Sequence, residues 1–423
     1  VTAPELDKVT LVTALAGREF SAWTSMELSD DFLTPCQTVK LDVGADETRF
    51  DLVRELRHGD GFVVYVNDQP QCSGFIDRVS VSYDGHSGTK ISVAGSDGLS
   101  RMVRGNVDPR MQVGDKMTVE QLVEKVCKEQ FGYDYAIFDS FNAGRELCVG
   151  KAIKTKTTKR RKKLTDKLEN IRPHDNEGAF GYLMRILHRV GLHMWFQPDG
   201  KGVVLSGPEY EQSPSYDLVN RITGDRSANN ILSAESTVDV TGVPSHVWVR
   251  GKDGKPGPKS KMIGFYDNSP NTSGNFVPFY AKDDESSSKE HCDSVAAYIV
   301  GKAMKDFLTY SCKTRGFSNA STGAIYNVDT VVKLDDERAG VGGPMWVESR
   351  TLRKDRGSGT TTDLKLLPAN ALILEYLLTE SPPTPIEDYK KALQSVQKYD
   401  GQPAPSEAAY ISNWINPESA KGN

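Results

Sequence analysis

The chain has 423 residues, a net charge of −5, 38% hydrophobic residues and 37 glycines. At about 150 residues per domain this suggests roughly two to four domains, and the acidic balance argues against a general nucleic-acid binder. No apolar run approaches the ~18 residues of a membrane span, and the start, VTAPELDKVT, lacks the charged head and apolar core of a signal peptide.

Residues 8–104 read as β. Val79, Val81 and Tyr83 alternate with Ser80 and Ser82, and Ile91 and Val93 with Lys90 and Ser92. A period of two gives each strand one apolar face. Gly85 and Gly88 suit the tight turn between them. Thr118 and Gln121 then form a capping box, followed by Val119, Leu122, Val123 and Val126 at helical spacing, with a stop predicted near Phe131-Gly132. Residues 151–167 hold nine Lys or Arg against Asp166. This run reads as a solvated loop, a contact for an acidic neighbour, or a phosphate-binding patch without the aromatics that stack on bases.

A second helix, capped by Asp175 or Asn176, carries Phe180, Leu183, Met184 and Leu187 on one face and ends at Gly191. HMWF, the turn Pro198-Asp199-Gly200 and VVLS form a hairpin. From about Asp217 the pattern returns to β, with Val238, Val240, Val247 and Val249. A long helix is predicted from about Ser287 to Tyr310, with Ser287 and Glu290 as its capping box and Val295, Ile299, Met304 and Phe307 as its buried stripe. Strands then run to about Pro368. Beyond SPPTP, a helix starts at Thr384, Pro385 and Glu387, and a second apolar group holds Tyr410, Ile411, Trp414 and Ile415. This Pro-punctuated arm reads as a docking element, for its own subunit or for a neighbour.

One segment occurs twice. FIDRVSVSYDGHSGTKISV (75–93) and WVESRTLRKDRGSGTTTDL (346–364) align without a gap. Phe75 meets Trp346, Asp77 meets Glu348, Asp84 meets Asp355, and Ser87-Gly88-Thr89 meets Ser358-Gly359-Thr360. Each copy is a strand, a glycine turn and a returning strand, so the chain is expected to hold two related β domains.

Signs of catalysis are weak. There is no HExxH and no phosphate-binding loop, and GHSG at Gly85 sits on a hairpin rather than on a strand-to-helix elbow. His188 and His193 straddle Gly191, so they share no helix face and read as a surface and a strand histidine rather than metal ligands. Asp283-Asp284-Glu285 and Asp335-Asp336-Glu337 lack EF-hand alternation and read as solvated turns and helix starts. Asn271 and Asn319 match the glycosylation pattern by chance. Six scattered cysteines (Cys36, Cys72, Cys127, Cys148, Cys292, Cys312) read as free thiols of a reducing cytoplasm. No catalytic, cofactor-binding or metal-binding residue is assigned, and no cofactor.

In order and spacing, GFIDRVSVSY…ISVAGSDGLSRM, the EGAFGYLMRILHRVGLHMWFQPDGKGVVLSG unit, the long helix and GAIYNVDTVVKLDDERAGVGGPMWVESRTLRKDRGSGTTTDLKLLP resemble the baseplate hub proteins of contractile phage tails. The likeness is nearest to the Mu-type hub and late control D family, with a more distant similarity to the N-terminal part of type VI secretion spike proteins. It spans roughly residues 5–370.

The resemblance implies a mainly β chain with α+β insertions and two tail-tube-like β-barrels. The barrels would occupy 1–107 and 217–250 with 320–370, around an α+β domain at 108–216 (helix-hairpin unit 175–206) and a helical insertion at 251–319, with a C-terminal arm at 371–423. It also implies a structural, non-enzymatic homotrimeric ring in the virion baseplate, assembled in the host cytoplasm. The ring would join a sixfold tail tube on one side to a threefold spike on the other, with the arm reaching other baseplate proteins. The alternatives are a tail-associated cell-wall hydrolase and a β-domain binding module for carbohydrate or DNA.

Overall fold

The computed structural model describes residues 7–368 apart from 14–16, 18, 22, 46–55, 85–87, 112, 114–115, 138–170, 175–176, 188–191, 209–211, 240, 252–262, 269–275, 284–288, 306, 321, 356 and 358. The first seven strands are β1 (Val9–Thr13), β2 (Glu19–Phe20), β3 (Ser25–Asp31), β4 (Thr38–Ala45), β5 (Gly61–Val66), β6 (Gln69–Asp84) and β7 (Gly88–Asp97). Met26, Leu28 and Asp30 point inward from β3 while their neighbours are half-exposed, the alternation of a strand with one covered face.

Two short helices follow, α1 (Ser100–Arg104) and α2 (Val119–Val123). The predicted capping box is present: Thr118 Oγ1 accepts from Gln121 N at 3.2 Å, and Gln121 Oε1 accepts from Thr118 N at 3.0 Å. The helix continues to Gln130, but from Glu124 it widens into a π-helix. Gly132, at φ 74°, takes the left-handed turn that ends it.

β8 (Asp134–Ile137), α3 (Ala179–Leu187), β9 (His193–Phe196) and β10 (Gly202–Ser206) complete a compact α+β unit. Its sheet has the order β8-β10-β9. Leu183, Met184 and Leu187 of α3 are buried as predicted, together with Tyr182 and Ile186. The predicted caps Asp175 and Asn176, and Gly191, lie outside the described residues. Phe196 packs directly on Gly98, where a Cβ would lie 2.3 Å from the ring.

The remaining elements are β11 (Tyr216–Asn220), β12 (Ile231–Val238), β13 (His246–Gly251), β14 (Ile263–Asp267), β15 (Pro278–Asp283), α4 (Lys289–Lys305), β16 (Leu308–Arg315), β17 (Val331–Asp336), β18 (Val341–Asp355) and β19 (Gly359–Pro368). α4 ends earlier than the predicted Tyr310, because Leu308, Tyr310, Cys312 and Thr314 are buried at every second position and form a strand. Ser287 lies outside the described residues. β13, β14 and β15 form a separate three-stranded sheet covered on one face by α4. The fit is close: a Cβ on Gly264 would stand 2.2 Å from the backbone carbon of Cys292.

The expected pair of barrels is corrected by the sheet topology. Among the described residues no sheet closes. Both β units lie in one open 13-stranded sheet of order β12-β16-β19-β18-β3-β4-β7-β6-β5-β1-β2, with β11 paired to β17 and β17 to β18. The physical reason is the use of edges. β18 spends its free edge on β3, from Ser349 opposite Asp31 to Asp355 opposite Ser25, so each unit is stitched to the other instead of to itself.

The repeat is real in three dimensions. β6 and β7 pair from Phe75–Ser96 to Asp84–Gly88, and β18 and β19 from Trp346–Leu367 to Asp355–Gly359. Every pair is related by one shift of 271 residues, the separation of Phe75 and Trp346. The bulges coincide, skipping Asp77 in one copy and Glu348 in the other. The same shift carries Val39–Gly95 of β4·β7 onto Tyr310–Leu366 of β16·β19. Met26–Leu41 of β3·β4 corresponds to Ala234–Cys312 of β12·β16. β3, β4, β7, β6 and β5 therefore match β12, β16, β19, β18 and β17.

Candidate functional site

The junction of the two β units holds a buried polar network. Arg350 of β18 lies opposite Asp30 of β3 in the strand register. Both side chains are almost wholly buried, with Arg350 Nη2 3.4 Å from Asp30 Oδ2. Arg350 Nη1 also donates to Gln71 Oε1 at 2.9 Å, to Tyr326 O at 2.5 Å and to Asn327 Oδ1 at 2.5 Å. One guanidinium thus ties together β3, β6, β18 and the segment before β17. On the opposite face, Arg353 bonds Glu27 at 3.0 Å and Asp363 at 2.8 Å, and Lys313 lies 3.5 Å from Asp363. This charge ladder crosses β3, β18, β19 and β16, and borders a shallow polar depression of about 460 Å³ beside β12.

Asp97, near the junction, is buried and accepts from the backbone N–H groups of Gln37 and Leu99, each at 3.0 Å. Burial pushes its carboxyl up to about 7 despite these bonds, with nearby Asp30 adding to the rise. Asp30 is itself raised, since its burial outweighs the pull of Arg350. With the folded pKa of Asp97 above the ordinary 3.8, the folded state holds this proton longer than the unfolded chain. The stabilisation is full below about pH 4 and is lost as pH rises to about 7. A ¹³C carboxyl titration of Asp97 is expected to show a midpoint near 7, and a midpoint below 5 would refute the assignment.

A second surface stands out on the three-stranded sheet. Val247 and Val249 point under α4, so His246 and Trp248 face outward. Trp248 stacks on Tyr280 at 4.9 Å and tilts against Phe265 at 5.1 Å, while His246 lies 5.1 Å from Phe276. Tyr280 is 72% exposed and Phe276 67%. An aromatic face of this kind suits stacking on a partner's apolar or sugar surface.

The residues weighed as chemical candidates do not come together. His193 is buried and stacks on Phe32 at 4.6 Å, and His188 lies outside the described residues. The acidic run at 335–337 is not a solvated turn. Asp335 pairs with Arg221 at 2.8 Å, Asp336 is fully buried and accepts from Tyr310 Oη and Asn220 Nδ2, and Glu337 accepts from Ile222 N and Thr223 N. The run therefore latches β17 to the turn after β11. Asp283 closes β15, while Asp284 and Glu285 lie outside the described residues, as do Gly85, Asn271, Cys148, residues 151–167 and the arm at 371–423.

Asn319 is buried and donates to Asp217 O. Burial pushes the Cys36, Cys127 and Cys312 thiols up to about 12, where thiolate chemistry is suppressed. Among the described residues no group of three or more His, Cys, Asp or Glu could hold a metal ion, and no helix is long and apolar enough to cross a membrane. Sequence reading missed the Arg350–Asp30 pair and the aromatic face. The face did leave a signal, aromatic residues alternating with Val247 and Val249.

Residues 9–97 match the family model described as Mu phage baseplate assembly protein GpP-like, N-terminal. No curated protein matches the chain. In fold the chain is similar to the tail protein from Neisseria meningitidis MC58, at 19% identity over 86% of this chain and 96% of that one, with a TM-score of 0.67. It is likewise similar to the 43 kDa tail protein of prophage MuSo2 from Shewanella oneidensis, at 17% identity over 86% and 99% with a TM-score of 0.68. Prophage tail protein gp18 from Listeria monocytogenes EGD-e gives 12% identity, 92% and 99% coverage and a TM-score of 0.51. The fold of this chain is thus the one that these phage tail proteins share. More particularly, residues 9–97 are related to the N-terminal part of the Mu phage baseplate assembly protein GpP-like family.

Proposed function

We propose that the chain is the hub subunit of a contractile-tail baseplate, three copies of which form a ring between a sixfold tail tube and a threefold spike. The observation that carries this reading is the internal repeat. Two β units with one register and one bulge position would let three chains present six similar β units. The units act as halves of an open sheet, and the ring needs only their likeness. The tube would sit on one side, the spike on the other, and the arm at 371–423 would reach further baseplate components. The particle would assemble in the host cytoplasm.

The test is the mass of the purified full chain by light scattering, with negative-stain images. A particle three times 46.6 kDa with a central ring is expected. A monomer at every concentration that binds cell-wall glycan would favour a carbohydrate-binding module acting through the His246–Trp248–Tyr280 face, and would overturn the hub.

A further inference from the structure

We propose that residues 407–416 of the C-terminal arm dock as a helix on the aromatic face of the β13-β14-β15 sheet in the same chain. The contact lies within one subunit and does not depend on the ring reading above. It leaves the first part of the arm, with Ile386, Tyr389 and Leu393, for further baseplate components.

α4 covers one side of this sheet, and the other side carries aromatic rings into solvent. In the strand register Trp248 lies between Phe265 of β14 and Tyr280 of β15, so the aromatic row crosses all three strands. The patch continues at the edge strand β15, where Val277 and Phe279 are 45% and 46% exposed beside Phe276 and Tyr280. An apolar patch this continuous marks a contact surface rather than scattered surface residues. Trp248 is already stacked on His246 and on Tyr280, each at 12°, so the row offers a broad apolar surface rather than one open ring for a sugar. β15 also runs parallel to β13, an arrangement usually found between two covering layers. Charge distinguishes the two ends of the face. The next outward row sets Arg250 beside Lys282, while the opposite end holds His246 and Asp267.

The arm supplies the matching segment. The chain leaves the described residues at Pro368, next to Leu367, which shares a core with Val247 and Val249 on the inner side of the same sheet. Residues 369–406 then separate Pro368 from Glu407. A flexible chain of that length spans roughly 35 Å, against the ~10 Å that one layer adds. Glu407, Tyr410, Ile411, Trp414 and Ile415 recur at helical spacing and share one face, and Ser406 and Pro417 bound the helix. From 403 to 420 the only charged residues are Glu407 and Glu418, so the segment is acidic where the face is basic. The lengths agree. Glu407 to Trp414 is about 10 Å of helix, and Arg250 to His246 is about 13 Å of strand. With Glu407 against Arg250 and Lys282, Tyr410 and Ile411 lie over the Phe265–Trp248–Tyr280 row and Trp414 reaches His246 and Phe276.

The test is hydrogen exchange on the full chain. A helix this short is marginal by itself, so its protection reports docking. Amides of residues 409–416 are expected to exchange at least tenfold more slowly than in a free peptide of residues 403–420. Trp248→Ala with Tyr280→Ala, or Trp414→Ala alone, is expected to remove that protection, while Tyr83→Ala, an exposed site on β6, leaves it unchanged. Oxidation of Arg250→Cys with Glu407→Cys is expected to close a disulfide within one chain, at least tenfold above either single variant. Arg250→Cys with Ser419→Cys, at the far end of the segment, is expected to stay at the single-variant level. Unprotected amides at 409–416 overturn the docking, as does protection that survives the changes at Trp248 and Tyr280. A disulfide between chains also overturns it, since the occupant is then the arm of another copy. Each readout is the same for a monomer and for a ring, so none of these failures bears on the hub.

Discussion

Replacing Arg350 with alanine is expected to destabilise the fold by about 3–5 kcal/mol, the cost of removing one partner of a buried ion pair. The change strips Asp30 of the guanidinium it pairs with, in a site where burial already raises the carboxyl. It also leaves Gln71 Oε1, Asn327 Oδ1 and Tyr326 O without the donor they share. Urea denaturation measures the loss. Two further outcomes separate this cause from a simple loss of packing. The loss should be smaller at pH 4 than at pH 8, because a protonated Asp30 no longer needs a cation. Arg350→Met combined with Asp30→Leu should cost less than Arg350→Ala alone, because no unpaired charge is left behind. A loss below about 1 kcal/mol for Arg350→Ala would show that the pair does not pin the junction.

Trp346→Ala is expected to cost about 3–5 kcal/mol, mostly through the cavity it opens. Trp346 is wholly buried and meets Phe32 edge-on at 5.2 Å, at the place where β3, β18 and the α4-covered sheet share a core. Its Nε1 donates to Asp329 Oδ1 at 2.9 Å. Asp329 sits at φ 54°, a left-handed backbone region uncommon for non-glycine residues and best tolerated by Asn, Asp and His. Trp346→Phe keeps most of the volume and loses that bond, so it should cost roughly 1–2 kcal/mol. Thermal unfolding distinguishes the two variants. Equal losses would place the weight on the hydrogen bond, and a negligible loss for alanine would contradict the packing described here.

Much of the local structure was legible in the residues. The hairpins at 75–93 and 346–364 show in a period of two, in turn glycines and in each other. The Thr118–Gln121 box shows because both of its bonds join residues three apart. α4 ends before the point that its apolar pattern predicts, because Phe307 continues a helical stripe while Leu308 begins a strand, and both patterns share the same apolar residues. The acidic run at 335–337 looked solvated because charge alone says nothing of Arg221, Asn220 and Thr223, which lie more than a hundred residues away and hold it. Asp30 and Arg350 are 320 residues apart, and neither carries a local sign of the other.

The likeness of the two β units was determined by the sequence alone, because strand period, turn chemistry and bulge position are set by residues close along the chain. Whether those units close on themselves or join each other was decided only by the tertiary structure. That choice depends on which edge β18 offers and to which strand, and edge pairing is a contact between distant segments with no periodicity of its own. β3 took that edge, and one open sheet replaced two barrels.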